Sequence, residues 1–385
     1  MLASLLLLNG CIEKFDPDLS LNTSFIVFDG IITDSPETQR PFYLTISTSV
    51  SLTNENKSTP IEKAKVEIII NNTERVQLKE IEAGYYHLPD KFNGKVGNTY
   101  QLELTTSWGR KYQSSIEKMP LVPPITNAFE TYEPEGPSRT ADGIPTPTTN
   151  IYVDFQDPPT PNNNYMWRWK LYEELLWCIT CKQGYYEVEE FYDYYTGECV
   201  KDLDLDAFNL YDYPCAEPAW DISYSDKINI FTDIYSNGTL QKSKLVSQVP
   251  IFQKNAALIN IEQLSLTNNA YRYFKLFQDQ TQNTGTIADT PPSPLSGNIR
   301  NLDDSKEQVV GYFTASSVNL KHYKLIRDQI VGGRYQGLFY YQNKRFPNLP
   351  PGRCPKGVVT CQRKPSALCF ETRVRTCIIP KGWNQ

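Results

Sequence analysis

Hydrophobic and polar residues alternate with a period of two through most of this chain, which is the pattern of strands with one buried face. FIVFDGIITD (25–34), PFYLTIST (41–48), AKVEIII (64–70), TYQLELTTS (99–107) and KYQSS (111–115) each read this way, with a short Gly84-Tyr85-Tyr86 segment between. Asn93-Gly94 and Trp108-Gly109 are turn dipeptides. So many short strands within residues 23–120 predict a β-sandwich. MPLVPPITN (119–127) follows as a stiff proline-rich link, the expected domain boundary.

Strand chemistry resumes at IYVDFQD (151–157), YMWRWKLYEELLW (165–177), KINIFTDIY, SKLVSQVPIF and NAALINIEQLSL. These predict a second β-rich domain over 121–345. One segment changes period: in LTNNAYRYFKLFQDQTQN (266–283), Tyr271, Phe274, Phe277 and Gln278 share a helical face, and Thr267 or Asn268 supplies an N-cap. The expected fold is mostly β, with this one helix packed on a sheet. In the first domain the order A-x-V-x-I, then G-Y-Y, then V-G-x-T-Y-x-L-x-L resembles immunoglobulin or prealbumin-like β-sandwich modules.

Composition supports that class and adds a charge split. Tyr 25, Phe 17 and Pro 27 against Met 3 and His 2 suit strands and turns. The net charge of −6 argues against nucleic-acid binding. From Lys344 onward nine Lys or Arg meet one acid, so a basic Cys-rich tail (346–385) follows an acidic body.

Nine cysteines then need an account. No apolar run is long enough for a membrane helix. Leu2 to Leu8 nevertheless lead into Leu8-Asn9-Gly10-Cys11, which resembles a bacterial lipobox, so residues 1–11 read as a lipoprotein signal remnant with Cys11 as the lipid anchor. Three acyl chains would hold a soluble domain on a bilayer. Residues 12–22 form the tether, and Glu13, Asp16 and Asp18 near the anchor resemble a surface-export signal.

Eight cysteines remain: Cys178, Cys181, Cys199 and Cys215, then Cys354, Cys361, Cys369 and Cys377. An envelope protein matures in an oxidising compartment, so four disulfides in two clusters are expected. The first array matches a zinc site imperfectly, and His87 and His322 are the chain's two histidines, so neither metal nor cofactor is expected.

Residues 185–226 hold twelve acids, one Lys and eleven aromatics. Tyr185, Tyr186, Tyr192, Tyr194, Tyr195 and Trp220 in this disulfide-pinned insertion (about 178–226) are the candidates for a recognition surface. The alternative reading lets these rings cover the sheet. Asp202-Leu-Asp204-Leu-Asp206 reads as an amphipathic strand, since it lacks the sixth-position Gly and twelfth-position Glu of a calcium loop. The basic tail has three possible counterparts: this acidic insertion, an anionic polysaccharide, or a partner's acidic loops.

The helix with Ala-Tyr-Arg-Tyr, then Pro-Pro, Gly-Asn-Ile and Gly-Tyr-Phe-x-Ala-Ser, together with Phe28-Asp29-Gly30-Ile-Ile-Thr-Asp, Val-Pro-Pro-Ile and the lipobox, forms a recognisable constellation. Over about 12–325 it resembles the Bacteroidota outer-membrane lipoprotein family catalogued as domain of unknown function 4249. The resemblance implies a lipid-anchored outer-membrane protein, facing the cell exterior, with a TonB-dependent outer-membrane β-barrel as partner. It supplies no catalytic residue. No nucleophile elbow, zinc-protease motif or phosphate loop is present, so the chain is not expected to be an enzyme. Expected functions are an accessory subunit on a transporter that assists ligand capture, a stand-alone glycan-binding or adhesive lipoprotein, or a structural subunit of an outer-membrane assembly. The ligand is not specified by the sequence.

Overall fold

The structure is a computed structural model and describes residues 25–35, 44–48, 58–90, 92–139, 143–190, 195–205, 207–208, 210–251, 255–282, 295, 297–327 and 366–384. Its first strands are β1 (Ile26–Thr33), β2 (Leu44–Thr48), β3 (Lys65–Ile70), β4 (Glu74–Gln77), β5 (Lys79–Glu82), β6 (Tyr85–His87), β7 (Thr99–Thr105), β8 (Lys111–Ser114) and β9 (Glu117–Lys118). Then come β10 (Ile125–Glu133), β11 (Thr148–Gln156), β12 (Asn164–Glu174), β13 (Trp177–Lys182), β14 (Gly184–Glu190), β15 (Tyr195–Lys201), β16 (Leu210–Pro214), β17 (Trp220–Tyr224), β18 (Asn229–Thr232), β19 (Leu240–Pro250) and β20 (Ala257–Leu266). Helix α1 (Asn268–Gln282) precedes β21 (Ile299–Asn301), β22 (Val309–Ser316), β23 (Val318–Leu325) and β24 (Arg375–Thr376). The protein is mostly β, as its alternation predicts.

Two sheets, ordered β22-β1-β2-β6-β5 and β21-β8-β7-β3-β4, pack face to face as a first sandwich. Phe28, Ile32, Val66, Ile68, Tyr86, Tyr100, Leu102, Tyr112 and Phe313 fill it. Strand β7 shows why: Tyr100, Leu102 and Leu104 point inward while the residues between them stay half-exposed.

The sequence reading places 299–316 in the second domain, but the chain returns to the first sandwich there. Strand β22 runs parallel to β1 from Ile26↔Val309 to Thr33↔Ser316, and β21 pairs with β8. Alternation defines a strand's buried face but not its partner across almost three hundred residues. Gly311 suits this seam because its φ is +113° and a Cβ there would lie 1.8 Å from the Phe28 carbonyl oxygen.

A second sandwich packs sheet β10-β11-β19 on sheet β23-β20-β12-β17-β24 around Ile151, Val153, Phe155, Trp167, Ile259 and Ile261. The proline-rich link is clamped between the sandwiches. Gln263 Nε2 donates to the Pro123 carbonyl at 3.0 Å, and Ser265 Oγ to that of Pro120 at 2.8 Å. The Asp34 carboxylate accepts from the Val318 amide at 2.8 Å.

The helix forms where the sequence predicts it, but its packed face is Ala270, Tyr273 and Phe274 with Tyr271, and Phe277 of the expected face is exposed. Thr267 is the N-cap, its Oγ1 accepting from the Ala270 amide at 3.2 Å. It packs on two sheets rather than one: Tyr273 and Phe274 meet Tyr312 of the first sandwich, while Met166, Leu264, Leu266 and Val318 of the second complete the same cluster. Next to the cap, the buried Glu117 carboxylate accepts from Thr267 Oγ1 (2.7 Å), Ser115 Oγ (2.9 Å), Tyr312 hydroxyl (3.0 Å) and Asn298 Nδ2 (3.3 Å). One carboxylate thus fastens β9, β22 and the start of α1. Four donors offset its desolvation.

Candidate functional site

Two regions bear on function: a cleft between the sandwiches, and the insertion with the C-terminal segment. The cleft forms where β1, β22, α1 and β12 converge, and its volume is about 470 Å³. That lies within the range of small-molecule sites.

One wall is aromatic, built from Tyr273, Phe274 and Phe277 of α1, with the Tyr273 and Phe277 rings stacked at 6.4 Å. Opposite lie Val27, Asp29 and Ile31 of β1, and Ser225, Asp226, Lys227 and Ile228 close one side. Arg168 also lines it, donating through Nη2 (2.7 Å) and Nε (3.0 Å) to Glu262 Oε2. Burial pushes the Tyr273 hydroxyl above the usual tyrosine range, and the Asp29 carboxylate pushes it further, partly offset by a hydrogen bond with the Gly311 backbone. Apolar rings beside a few fixed polar groups are the usual lining of a small-molecule pocket. Among the described residues, no three His, Cys, Asp or Glu side chains converge as a metal-ligand set.

These cleft residues come from segments read only as strand or helix. The signal in the sequence was Asp29, a charge inside an apolar strand; nothing in the sequence marked Phe277, which reads there as part of the packed helical face.

The insertion consists of two ribbons, β13–β16 and β14–β15. Cys178–Cys215 ties β13 to the end of β16, and Cys181–Cys199 ties one ribbon to the other. Both bridges fall within the expected first cluster. In the second cluster Cys369 pairs with Cys377, while Cys354 and Cys361 lie outside the described residues, as does Cys11.

The candidate recognition surface is corrected at two positions. Tyr186 is fully buried between the ribbons, its ring 5.6 Å from Tyr213 and its hydroxyl accepting from the Leu368 amide at 3.2 Å. Gly197 permits this, since a Cβ there would stand 1.9 Å from the Tyr186 oxygen. Trp220 is 1% exposed, covered by Trp383 at 5.3 Å. Tyr186 fills the insertion's own small core and Trp220, on β17 of the second sandwich, packs beneath the C-terminal segment, so these two serve packing, the alternative that lets the rings cover a sheet. Tyr185 is half-buried against the same cluster. Tyr192 and Tyr194 lie outside the described residues, and Tyr195 opens β15 with its side chain outside them too. Among the described residues, the exposed large apolar side chains here are Leu203 and Phe208 in the insertion and Leu176 at its edge. Asp202 to Leu205 form a turn, not a strand, with Asp202 Oδ1 accepting from the Asp204 amide at 3.0 Å.

The described part of the basic tail packs on its own chain. Strand β24 adds to β17, Arg375 Nε meets Asp221 at 3.1 Å, and Arg375 Nη1 donates to the Cys178 carbonyl at 2.8 Å. Arg373 pairs with Glu82 and lies 4.2 Å over the Tyr85 ring of the first sandwich. Of the three counterparts open to the tail, these contacts realise the intrachain one.

Searches of the curated proteins and of solved structures find no match. A family model does match, over residues 12–322, under the description "Domain of unknown function (DUF4249)". That span holds the β1, α1 and β22 segments whose side chains meet in the cleft. The chain therefore belongs to the DUF4249 family.

Proposed function

We propose that the protein is an outer-membrane lipoprotein, anchored through Cys11, that docks on the extracellular side of a TonB-dependent β-barrel and helps capture its ligand. The supporting observation is the insertion: an arm cross-linked by two disulfides that leaves Leu176 58%, Leu203 77% and Phe208 87% exposed. A rigid element with exposed apolar side chains loses little entropy on binding, as a docking element requires. The cleft offers a place for ligand beside it.

Affinity purification from native membranes, with the anchor intact, tests the reading. A stoichiometric β-barrel should accompany the wild-type chain, and the Leu203→Asp/Phe208→Asp variant should lose it. Recovery of the wild-type protein without a barrel contradicts the proposal.

A stand-alone glycan-binding role is the second reading, and the stacked Tyr273 and Phe277 rings favour it. It belongs to the cleft rather than to the insertion's aromatics. Binding on a glycan array that Phe277→Ala abolishes would select it.

A further inference from the structure

Thirteen residues separate Cys11 from Phe25, a reach of at most about 50 Å even when extended. Phe25 is the first described residue, so the end of the first sandwich around it is where the chain from the anchor joins the described body. β1 runs away from that end, towards the Asp34–Val318 contact with the second sandwich.

Three elements meet at this end of the first sandwich. The β21–β22 loop, including Lys306 and Glu307, lines one pocket with Phe25. The same loop is tied to the β7–β8 turn: the Leu302 amide donates to the Lys111 carbonyl at 2.8 Å, the Lys111 amide to Asp303 Oδ2 at 2.9 Å, and Arg110 Nη1 meets Glu307 at 2.7 Å. The turn is closed by Gly109 (φ +92°), whose amide donates to the Thr106 carbonyl at 2.9 Å.

Trp108 at the tip of the β7–β8 turn is 54% exposed, and Leu302, where the β21–β22 loop leaves β21, is 48% exposed. The rest of that loop is polar, and around the two apolar side chains Arg110, Lys111, Arg300 and Lys306 are exposed, with Asp303, Asp304 and Glu307 nearly balancing their charge. Tryptophan on a rigid turn, with an exposed leucine beside it and flanking long basic side chains, is the pattern of a membrane-interface contact.

We propose that this end of the first sandwich rests on the bilayer, with Trp108 and Leu302 entering the interfacial layer of a phospholipid membrane. The inference rests on the anchored reading of Cys11, and it adds an orientation: β1 points away from the membrane and the second sandwich lies farther out. Because the local charges nearly cancel, the contact is apolar and changes little with salt.

The test uses the full chain on vesicles of phosphatidylethanolamine and phosphatidylglycerol carrying brominated acyl chains. The chain is held either by its native acylation or, independently of acylation, by an N-terminal hexahistidine on nickel-chelating lipid. Shallow bromines should quench part of the tryptophan emission in both formats. Trp108→Ala should abolish that quenching, and Leu302→Asp, which keeps the reporter, should reduce it several-fold. Quenching only on the nickel lipid supports the contact while counting against acylation at Cys11. Absent quenching in a vesicle-bound chain, or quenching unchanged in Trp108→Ala, overturns the proposal, and loss of barrel co-purification in Trp108→Ala would assign the tip to a protein partner instead.

Discussion

The first sandwich and the insertion solve the same problem with opposite means. The sandwich buries more than twenty apolar residues between two sheets, and its seams close with backbone ladders such as β1–β22. Among the described residues, the insertion's own cluster is small, made of Cys178, Cys181, Tyr186, Tyr211, Tyr213 and Ala219 with Ala367 from the tail, so covalent cross-links hold what this core cannot. A large core tolerates the loss of one bond but not of a central ring, whereas a small cross-linked core should behave the other way round.

The largest expected effect is therefore in the sandwich. Phe28→Ala removes a ring between the sheets that also lies 5.6 Å from Tyr112, and should cost about 3–5 kcal/mol in a denaturant melt. An effect below that of a surface substitution would refute the packing described. Next comes Cys178→Ser/Cys215→Ser, expected to cost about 2–4 kcal/mol. That loss should be confined to the insertion, so hydrogen exchange should rise over 177–214 while β3 and β7 stay protected.

Thr267→Ala deletes both the helix N-cap and a donor to Glu117, and about 1–2 kcal/mol should be lost, with α1 fraying first by circular dichroism. The smallest effect is a pH dependence at the junction. Burial holds the Asp34 carboxyl above its ordinary value, against the pull of the Val318 amide. A raised carboxyl favours the protonated folded state, so its contribution is fully present below the ordinary aspartate pKa and fades as pH rises through the folded value. Asp34→Asn should flatten the part of the stability profile that lies above the ordinary aspartate pKa, and a steeper profile in the variant would reverse the assignment.

What was legible in the sequence was local. Alternation located β1, β3, β7, β11, β12, β19 and β20, and period with capping chemistry located α1, because each signal lies within a dozen residues. The return of β21 and β22 to the first sandwich was not legible, since pairing with strands almost two hundred or more residues away leaves no mark on either strand alone. Cysteine arithmetic gave the two clusters, but the pairings needed coordinates. Tyr186 and Trp220 were read as surface because aromatic density does not say which side of a ribbon a ring occupies. Trp383 and Leu368, which cover them, come from the far end of the chain.

In the proposed function the insertion, held by its own disulfides, is the arm through which the body docks. Co-purification from native membranes, comparing the wild-type chain with Cys178→Ser/Cys215→Ser, tests it most directly. The account predicts that the variant keeps both sandwiches folded and stays on the membrane while losing its β-barrel partner. A variant that retains the barrel with a melted insertion, or a wild-type chain that recovers none, would contradict it.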